Sequence, residues 1–335
     1  MAIKNNANKQ WLVILNPHAG GKKGEKDKGK IMKLLKKSGL DFSIVTSDYP
    51  GHAVAITRES ITNGFRNFIG AGGDGTLNEI VNGIFQQQEV SSDEFTLGMI
   101  PVGTGNDWIR TFGIPTGYEE AIRVISNGNY VCQDIGKICK TEGDVETTRY
   151  FANMTGYGFD AMVADRVNIL KNEGATGLRL YIQSLLVSLF RYKTGRVKIT
   201  IDNKEINEWI FSVSIGIGKF NGGGMMQVPG ADPLSGNFHV TLIRKIGFFS
   251  ILINIPGLFN GSFVKDKHVS TYIAREISIH SGSILPGEAD GETLGKGNFR
   301  ISLLPSAIKV ICGIEFYRKA REKQKQPENK LVSVS

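Results

Sequence analysis

The stretch Gly72-Gly73-Asp74-Gly75-Thr76-Leu77-Asn78-Glu79 constrains this chain more than any other. Three glycines in four positions let the backbone take positive φ and come close to a ligand. An apolar run at residues 67–70 leads into the loop, and Leu77, Ile80, Val81 and Ile84 leave it at helical spacing. Strand, glycine loop and helix together present free N–H groups and a positive helix end, which suits a phosphate. Thr76 and Glu79 have the spacing of a capping box, which predicts a helix starting at Leu77. Asp74 cannot bind phosphate directly, but it can fix the loop or hold a water or Mg²⁺ beside one. A plain strand–helix turn uses the same glycines, so other segments must carry the reading further.

Two of them do. Gly103-Thr104-Gly105-Asn106-Asp107 follows an apolar run at 97–101, and Asn16-Pro17 follows another at 11–15. Residues 42–45 form a further strand candidate, and 26–37, 53–63 and 119–127 have helical patterns. Strands alternating with helices imply a parallel sheet whose ligand sits at the carboxyl ends of the strands. Near 128–134 the texture changes. Val197/Ile199/Ile201, Phe211/Val213/Ile215, Ile277/Ile279, Ile301/Leu303 and Ile308/Val310 alternate at period two, as in antiparallel strands. A helix at about 178–190 interrupts them, and 317–326 is a charged helix or tail. The fold class expected is therefore α/β followed by all-β.

Composition narrows the function. The 335 residues carry a net charge of +8, but residues 1–37 hold ten lysines against two acids, and 314–335 hold six cations against three. The middle is slightly acidic, so no basic groove runs over the fold and nucleic acid is not the expected partner. Three cysteines without zinc spacing argue against a disulfide scaffold or zinc site and for a reducing cytoplasm. The five histidines are scattered and suggest no metal site. The N-terminus has no signal-peptide pattern. The most apolar stretch, 246–259, is broken by Pro256 and is shorter than the roughly 20 residues that span a bilayer. Arg244-Lys245 precede it, and Arg191, Lys193 and Arg196 follow the 178–190 helix. Peripheral contact with an anionic membrane surface fits these flanks, with most of the apolar side chains in the core. No Walker A loop and no GxGxxG opening a helix is present, which argues against those nucleotide folds.

Asn16-Pro17, GGDGTLNEIVNG at 72–83 and PVGTGND at 101–107 are followed in order by Asp134-Ile135-Gly136, Gly156-Tyr157-Gly158-Phe159-Asp160, Gly222-Gly223-Gly224, Pro229-Gly230-Ala231, Asp290-Gly291-Glu292 and Leu304-Pro305-Ser306-Ala307. This ordered set resembles the catalytic domain of diacylglycerol kinases and related lipid kinases, over roughly residues 10–313. The resemblance implies an NAD kinase-like α/β ATP-binding domain at 1–133, joined by the segment 306–325. A β-sandwich lipid-binding domain at 134–305 would follow, with a cleft between the two for ATP and a lipid head. It implies ATP contacts at Asn16, Thr46, Gly72, Gly73, Asp74, Gly75, Thr76, Asn78, Thr104 and Asn106. Glu292 is implied as general base, with Asp290 and Asp107 as the other catalytic carboxylates. Mg²⁺ would come with ATP, near Asp74 and Asp134.

Phosphorylating a hydroxyl needs a proton acceptor within hydrogen-bond reach, which a carboxylate supplies. Asp290-Gly291 is also a preferred hairpin pair, and such a turn can present Glu292. One departure concerns Ser235, which stands where the family often has an Asp of a structural Mg²⁺ site. A hydroxyl is a poor substitute, and Asp232 is the nearest carboxylate. The expected activity is transfer of the γ-phosphoryl group of ATP to a lipid hydroxyl on the cytoplasmic, inner face of the membrane. Diacylglycerol, a sphingoid base, a ceramide and another glycerolipid are all open as acceptors. The rivals are a kinase of a soluble hydroxyl compound such as NAD and a catalytically silent nucleotide-binding module. A homodimer is compatible with all of these.

Overall fold

The computed structural model describes residues 9–172, 178–192, 194–281 and 285–325. The first part alternates as its apolar pattern requires: β1 (Trp11–Leu15), α1 (Ala19–Lys37), β2 (Phe42–Thr46), α2 (His52–Thr62), β3 (Asn67–Gly72), α3 (Asp74–Gln86), β4 (Thr96–Pro101), a short α4 (Asp107–Thr111) and α5 (Tyr118–Asn127). β2, β1, β3 and β4 pair in parallel in that spatial order. Successive residues of β1 enter different cores. Leu12 and Ile14 pack with Ile56 of α2 and Leu77 and Ile80 of α3. Val13 and Leu15 pack with Ile31 and Leu35 of α1 and Ile122 and Ile125 of α5. Both faces are covered, which is why these strands read as continuous apolar runs. At the start of α1, Gly20, Gly21 and Lys22 turn left-handed (φ 62, 67 and 69), so the regular right-handed helix begins only after them.

The second part is β5 (Tyr130–Glu142), β6 (Val145–Phe151), β7 (Met154–Gly158), α6 (Phe159–Asn172), α7 (Leu178–Arg191), β8 (Gly195–Ile201), β9 (Lys204–Gly216), β10 (Phe238–Arg244), α8 (Phe248–Asn254), α9 (Gly257–Asn260), β11 (Val269–Ala274), β12 (Glu276–His280), β13 (Pro286–Ala289), β14 (Glu292–Lys296), β15 (Asn298–Ile311) and α10 (Ile314–Lys325). Its strands pair antiparallel around a core that includes Ile199, Val213, Ile215, Ile279 and Ile301. α6, α7 and α8 bury Val163, Val167, Leu185 and Leu189 against Phe211 in a separate layer.

β5 and β15 pair along their whole lengths, with a register shift between Leu304 and Ile308 where Ser306 takes φ 49. Beyond that bulge, Lys309 and Val310 pair in parallel with β4. The chain positions 133/134 and 305/306 thus lie inside strands that run from one core into the other. The apolar stretch 246–259 is split. Ile246, Ile251, Leu252 and Ile255 rest partly on the helical layer, whereas Phe249 and Ile253 are each 78% exposed. Among the described residues, no helix is long and apolar enough to cross a membrane. Lys193 and the side chain of Arg191, two of the cations flanking α7, lie outside the described residues.

Candidate active site

The parallel register brings three loops to one edge. Leu15 pairs with Ala71 and with Thr46, and Gly72 with Pro101, so Asn16, Gly73, Ser47 and Val102 all emerge together. The N–H groups of Val102 and Gly103 both donate to the Gly72 carbonyl, at 2.8 and 2.9 Å. A Cβ on Gly103 would stand 2.6 Å from the Gly73 Cα, so the two glycine loops touch at a distance only glycine allows.

The capping box expected at Thr76 and Glu79 does not form. α3 starts at Asp74 with Gly73 as its cap residue, and no side chain caps it. Thr76 is instead buried inside the first turn of the helix, where its hydroxyl accepts a hydrogen bond from Asn16 Nδ2 at 3.2 Å. Glu79 faces the neighbouring helix. Its carboxylate accepts from the N–H groups of Gly51 and Ala53, both at 2.9 Å, and so closes the start of α2. A competing helix terminus with free N–H groups won the carboxylate.

Asp74 reaches across to the second loop, accepting from the N–H groups of Asp107 and Trp108, both at 3.1 Å. Asn106 takes φ 51 and donates from Nδ2 to the Gly103 carbonyl at 2.6 Å. Asp107 is buried; one oxygen accepts from the Gly223 N–H at 2.7 Å, and the other, Oδ1, has Arg110 Nε at 3.8 Å and no hydrogen bond. Burial and then the nearby charge of Asp74 push its carboxyl up to about 6. Thr104 is exposed at the tip of the loop, and the Thr46 hydroxyl accepts from Lys28 Nζ at 3.0 Å.

Asp290 and Gly291 form the two-residue loop between β13 and β14, with φ 48 and 85 and Ala289 paired with Glu292. Positive φ at both central positions is the tight hairpin turn that Asp-Gly favours. The Asp290 carboxylate accepts four hydrogen bonds, from the N–H groups of Ala152, Asn153 and Met154 and from Asn78 Nδ2, at 2.8 to 3.0 Å. Burial raises its pKa against these donors. Its oxygens are engaged in holding the hairpin against β7 and α3. Glu292, next along, is exposed, and its Oε1 lies 3.4 Å from where a Cβ of Gly75 would stand. The hairpin therefore sets a free carboxylate beside the start of α3. Asn78 is buried and is shared with Arg149, whose guanidinium donates to Asn78 Oδ1 at 3.2 Å. Arg149 sits in a polar strand with no motif around it, and sequence reasoning missed it.

The candidate cation ligands differ in character. Asp74 and Asp107 lie close enough for one to raise the other's pKa, and Asp107 keeps an unused oxygen, a donor set that fits a divalent ion. Asp134 instead accepts from the N–H groups of Gly236 and Ser306, both at 2.7 Å, and ties two segments together. Asp232 is paired with Lys323 Nζ at 2.8 Å, while the Ser235 hydroxyl donates to the Asn237 carbonyl at 3.0 Å. No group of three or more His, Cys, Asp or Glu suited to a metal occurs among the described residues.

The parallel sheet edge with its glycine loops is joined through β5 and β15 to an antiparallel β-structure whose β13–β14 hairpin brings Glu292 beside that edge. Residues 10–138 match the diacylglycerol kinase catalytic domain, and residues 153–312 match the YegS C-terminal NAD kinase beta sandwich-like domain. The chain belongs to this diacylglycerol kinase family. It is 28% identical over 293 residues to a diacylglycerol kinase of Staphylococcus saprophyticus, covering 87% of this chain and 92% of that protein. Its fold resembles the crystal structure of a diacylglycerol kinase from Bacillus anthracis str. Sterne, with TM-score 0.67 and 22% identity, covering 92% of this chain and 98% of that one. Yeast NADH kinase complexed with NADH shares the fold more distantly, with TM-score 0.54 and 14% identity, covering 97% of this chain and 90% of that one.

Proposed function

We propose that this chain is an ATP-dependent lipid kinase that transfers the γ-phosphoryl group to a lipid hydroxyl. The observation that carries the lipid acceptor is a narrow slot of about 720 Å³, mouth included, in the β-rich part. Eleven of the sixteen described residues that line it are hydrophobic, among them Phe159, Val163, Leu185 and Phe211, which suits an alkyl chain. β7, which leads into α6 on the slot wall, also pairs with β13 of the Glu292 hairpin. The relatives named as diacylglycerol kinases support the same reading.

In this reading the nucleotide phosphates lie at the Gly72–Asn78 and Gly103–Asp107 loops, with Asn16, Thr46, Thr104 and Asn106 around the nucleotide. Residues 1–133 and 306–325 serve ATP, and 134–305 serve the lipid. Asp74 and Asp107 would hold Mg²⁺, which neutralises phosphate charge. Glu292 accepts the proton of the lipid hydroxyl as its oxygen bonds to the γ-phosphorus and the bond to ADP breaks. Asp290 keeps the turn that aims Glu292. α8 carries the protein to an anionic membrane on the cytoplasmic side: Phe249 and Ile253 protrude, with exposed Lys245 and Lys265 nearby in the chain.

The test is phosphate transfer from labelled ATP to a panel of diacylglycerol, sphingoid base, ceramide and NAD. Label in one lipid and none in NAD is expected; label in NAD alone overturns the proposal.

A further inference from the structure

We propose that Asp160 is the polar anchor of the apolar slot, and that the slot takes an alkyl-chain molecule offering a hydroxyl or ammonium donor beside the chain. The inference rests on the lipid reading above and deepens it.

Asp160 follows β7 directly, in the first turn of α6. β7 pairs with β13 on one side and β9 on the other, and the register sets Gly156 opposite both Glu288 and Ser214. A Cβ on Gly156 would stand 2.7 Å from Glu288 Oε1 and 2.8 Å from the Asp160 Cβ. Glycine there leaves the gap into which the Asp160 side chain settles. Ser214 Oγ donates to Asp160 Oδ2 at 2.6 Å, and Oδ1 takes no hydrogen bond from the described residues.

Among the described residues, Asp160 is the sole ionisable one on the slot wall, and none of them that lines it is Lys, Arg or His. It is remote from bulk solvent, and burial pushes its carboxyl up to about 6, yet it stays partly accessible through the slot. Among the described residues, Glu288 Oε1 and the Tyr192 hydroxyl are also buried without partners, and each belongs to a residue close enough to perturb, or be perturbed by, one of the two buried carboxyls. A carboxyl with one hydroxyl partner in an apolar wall is costly for the folded chain. A donor brought by a ligand satisfies it, whereas a simple alkyl group does not. Sites built around a buried polar group reject analogues that lack its partner far more strongly than apolar pockets reject a missing methylene.

The test uses binding, so it does not depend on turnover. The full chain is titrated with 1-decanol, decylamine and decyl methyl ether, which share a chain and differ in the donor. The wild type should bind the alcohol or the amine at least tenfold more tightly than the ether. Asp160→Leu should shrink that preference to within twofold. Asp160→Asn keeps a partner for Ser214 and should restore the preference for the alcohol but not for the amine. Val163→Trp, which fills the slot, should weaken all three. Equal binding of the three probes by the wild type overturns the inference, as does a preference that survives in Asp160→Leu. If no lipid is phosphorylated but the donor preference follows Asp160, the kinase reading fails and the anchor stands. If lipid is phosphorylated and Asp160→Leu leaves the probes unchanged, the anchor alone fails.

Discussion

Glu292 and Gly75 come together from opposite parts of the chain: the carboxylate of the β13–β14 hairpin rests 3.4 Å from the position of a Cβ on the second residue of α3. Glycine at 75 leaves the start of the helix open, and the hairpin fills the opening with a carboxylate. Glu292→Gln keeps the size of the group and removes its capacity to accept a proton. Phosphate transfer to lipid should fall by roughly 10²–10⁴-fold. The Kd for ATP should stay within twofold, and the melting temperature should hold because the side chain is exposed. Steady-state kinetics with calorimetric ATP titration checks this; undiminished turnover would falsify the base assignment.

Gly156 is a packing requirement. Its Cβ would fall 2.7 Å from Oε1 of the buried Glu288 and 2.8 Å from the Cβ of the half-buried Asp160. Gly156→Ala should destabilise the fold by about 1–3 kcal/mol, the usual range for overpacking. Chemical denaturation of variant and wild type measures it, and equal midpoints would show that the strand can give way.

Stability should depend on pH through Asp160. Its folded pKa is about 6 against 3.8 for the unconstrained group, chiefly because of burial. The native state then holds a proton that the unfolded chain has lost, so stability falls as pH rises from about 4 to 6. The two-unit difference corresponds to about 3 kcal/mol. Asp160→Asn should flatten this part of the profile and raise stability at pH 7. Unfolding curves at pH 4, 5, 6 and 7 test the slope; a profile parallel to wild type would show that Asp160 does not titrate there.

Phe249 and Ile253 lie one helical turn apart on α8, and both are 78% exposed. Replacing both by Ser removes apolar surface that already lies mostly in solvent, so the melting temperature should not fall. Flotation with vesicles of phosphatidylglycerol and phosphatidylcholine should show at least tenfold less bound protein than wild type. Undiminished flotation would move the membrane contact elsewhere.

The sheet edge was readable because its causes are local. An apolar run followed by glycines at 72–75 or 103–105 has few conformations other than strand and tight loop, and alternation of strands with helices fixes a parallel order. The hairpin at Asp290-Gly291 was equally local, since both residues tolerate positive φ. Thr76 and Glu79 show the limit. Their spacing specified a capping box, but spacing says nothing of α2, whose N–H groups lie 26 and 28 residues away along the chain. Arg149 was invisible for the same reason: its partner Asn78 is 71 residues distant.

By itself the sequence determined the two textures, the glycine loops and the order of motifs, all of which follow from backbone conformation and hydrophobic period within short windows. Only the tertiary structure decided which carboxylates are free. Asp290 and Asp134 spend their oxygens on N–H groups brought by distant strands, Asp74 closes α4, and Glu292 and Asp160 keep capacity to spare. The reason is physical: what a carboxylate can do depends on burial and on the donors around it, and both are set by contacts between residues far apart in the chain.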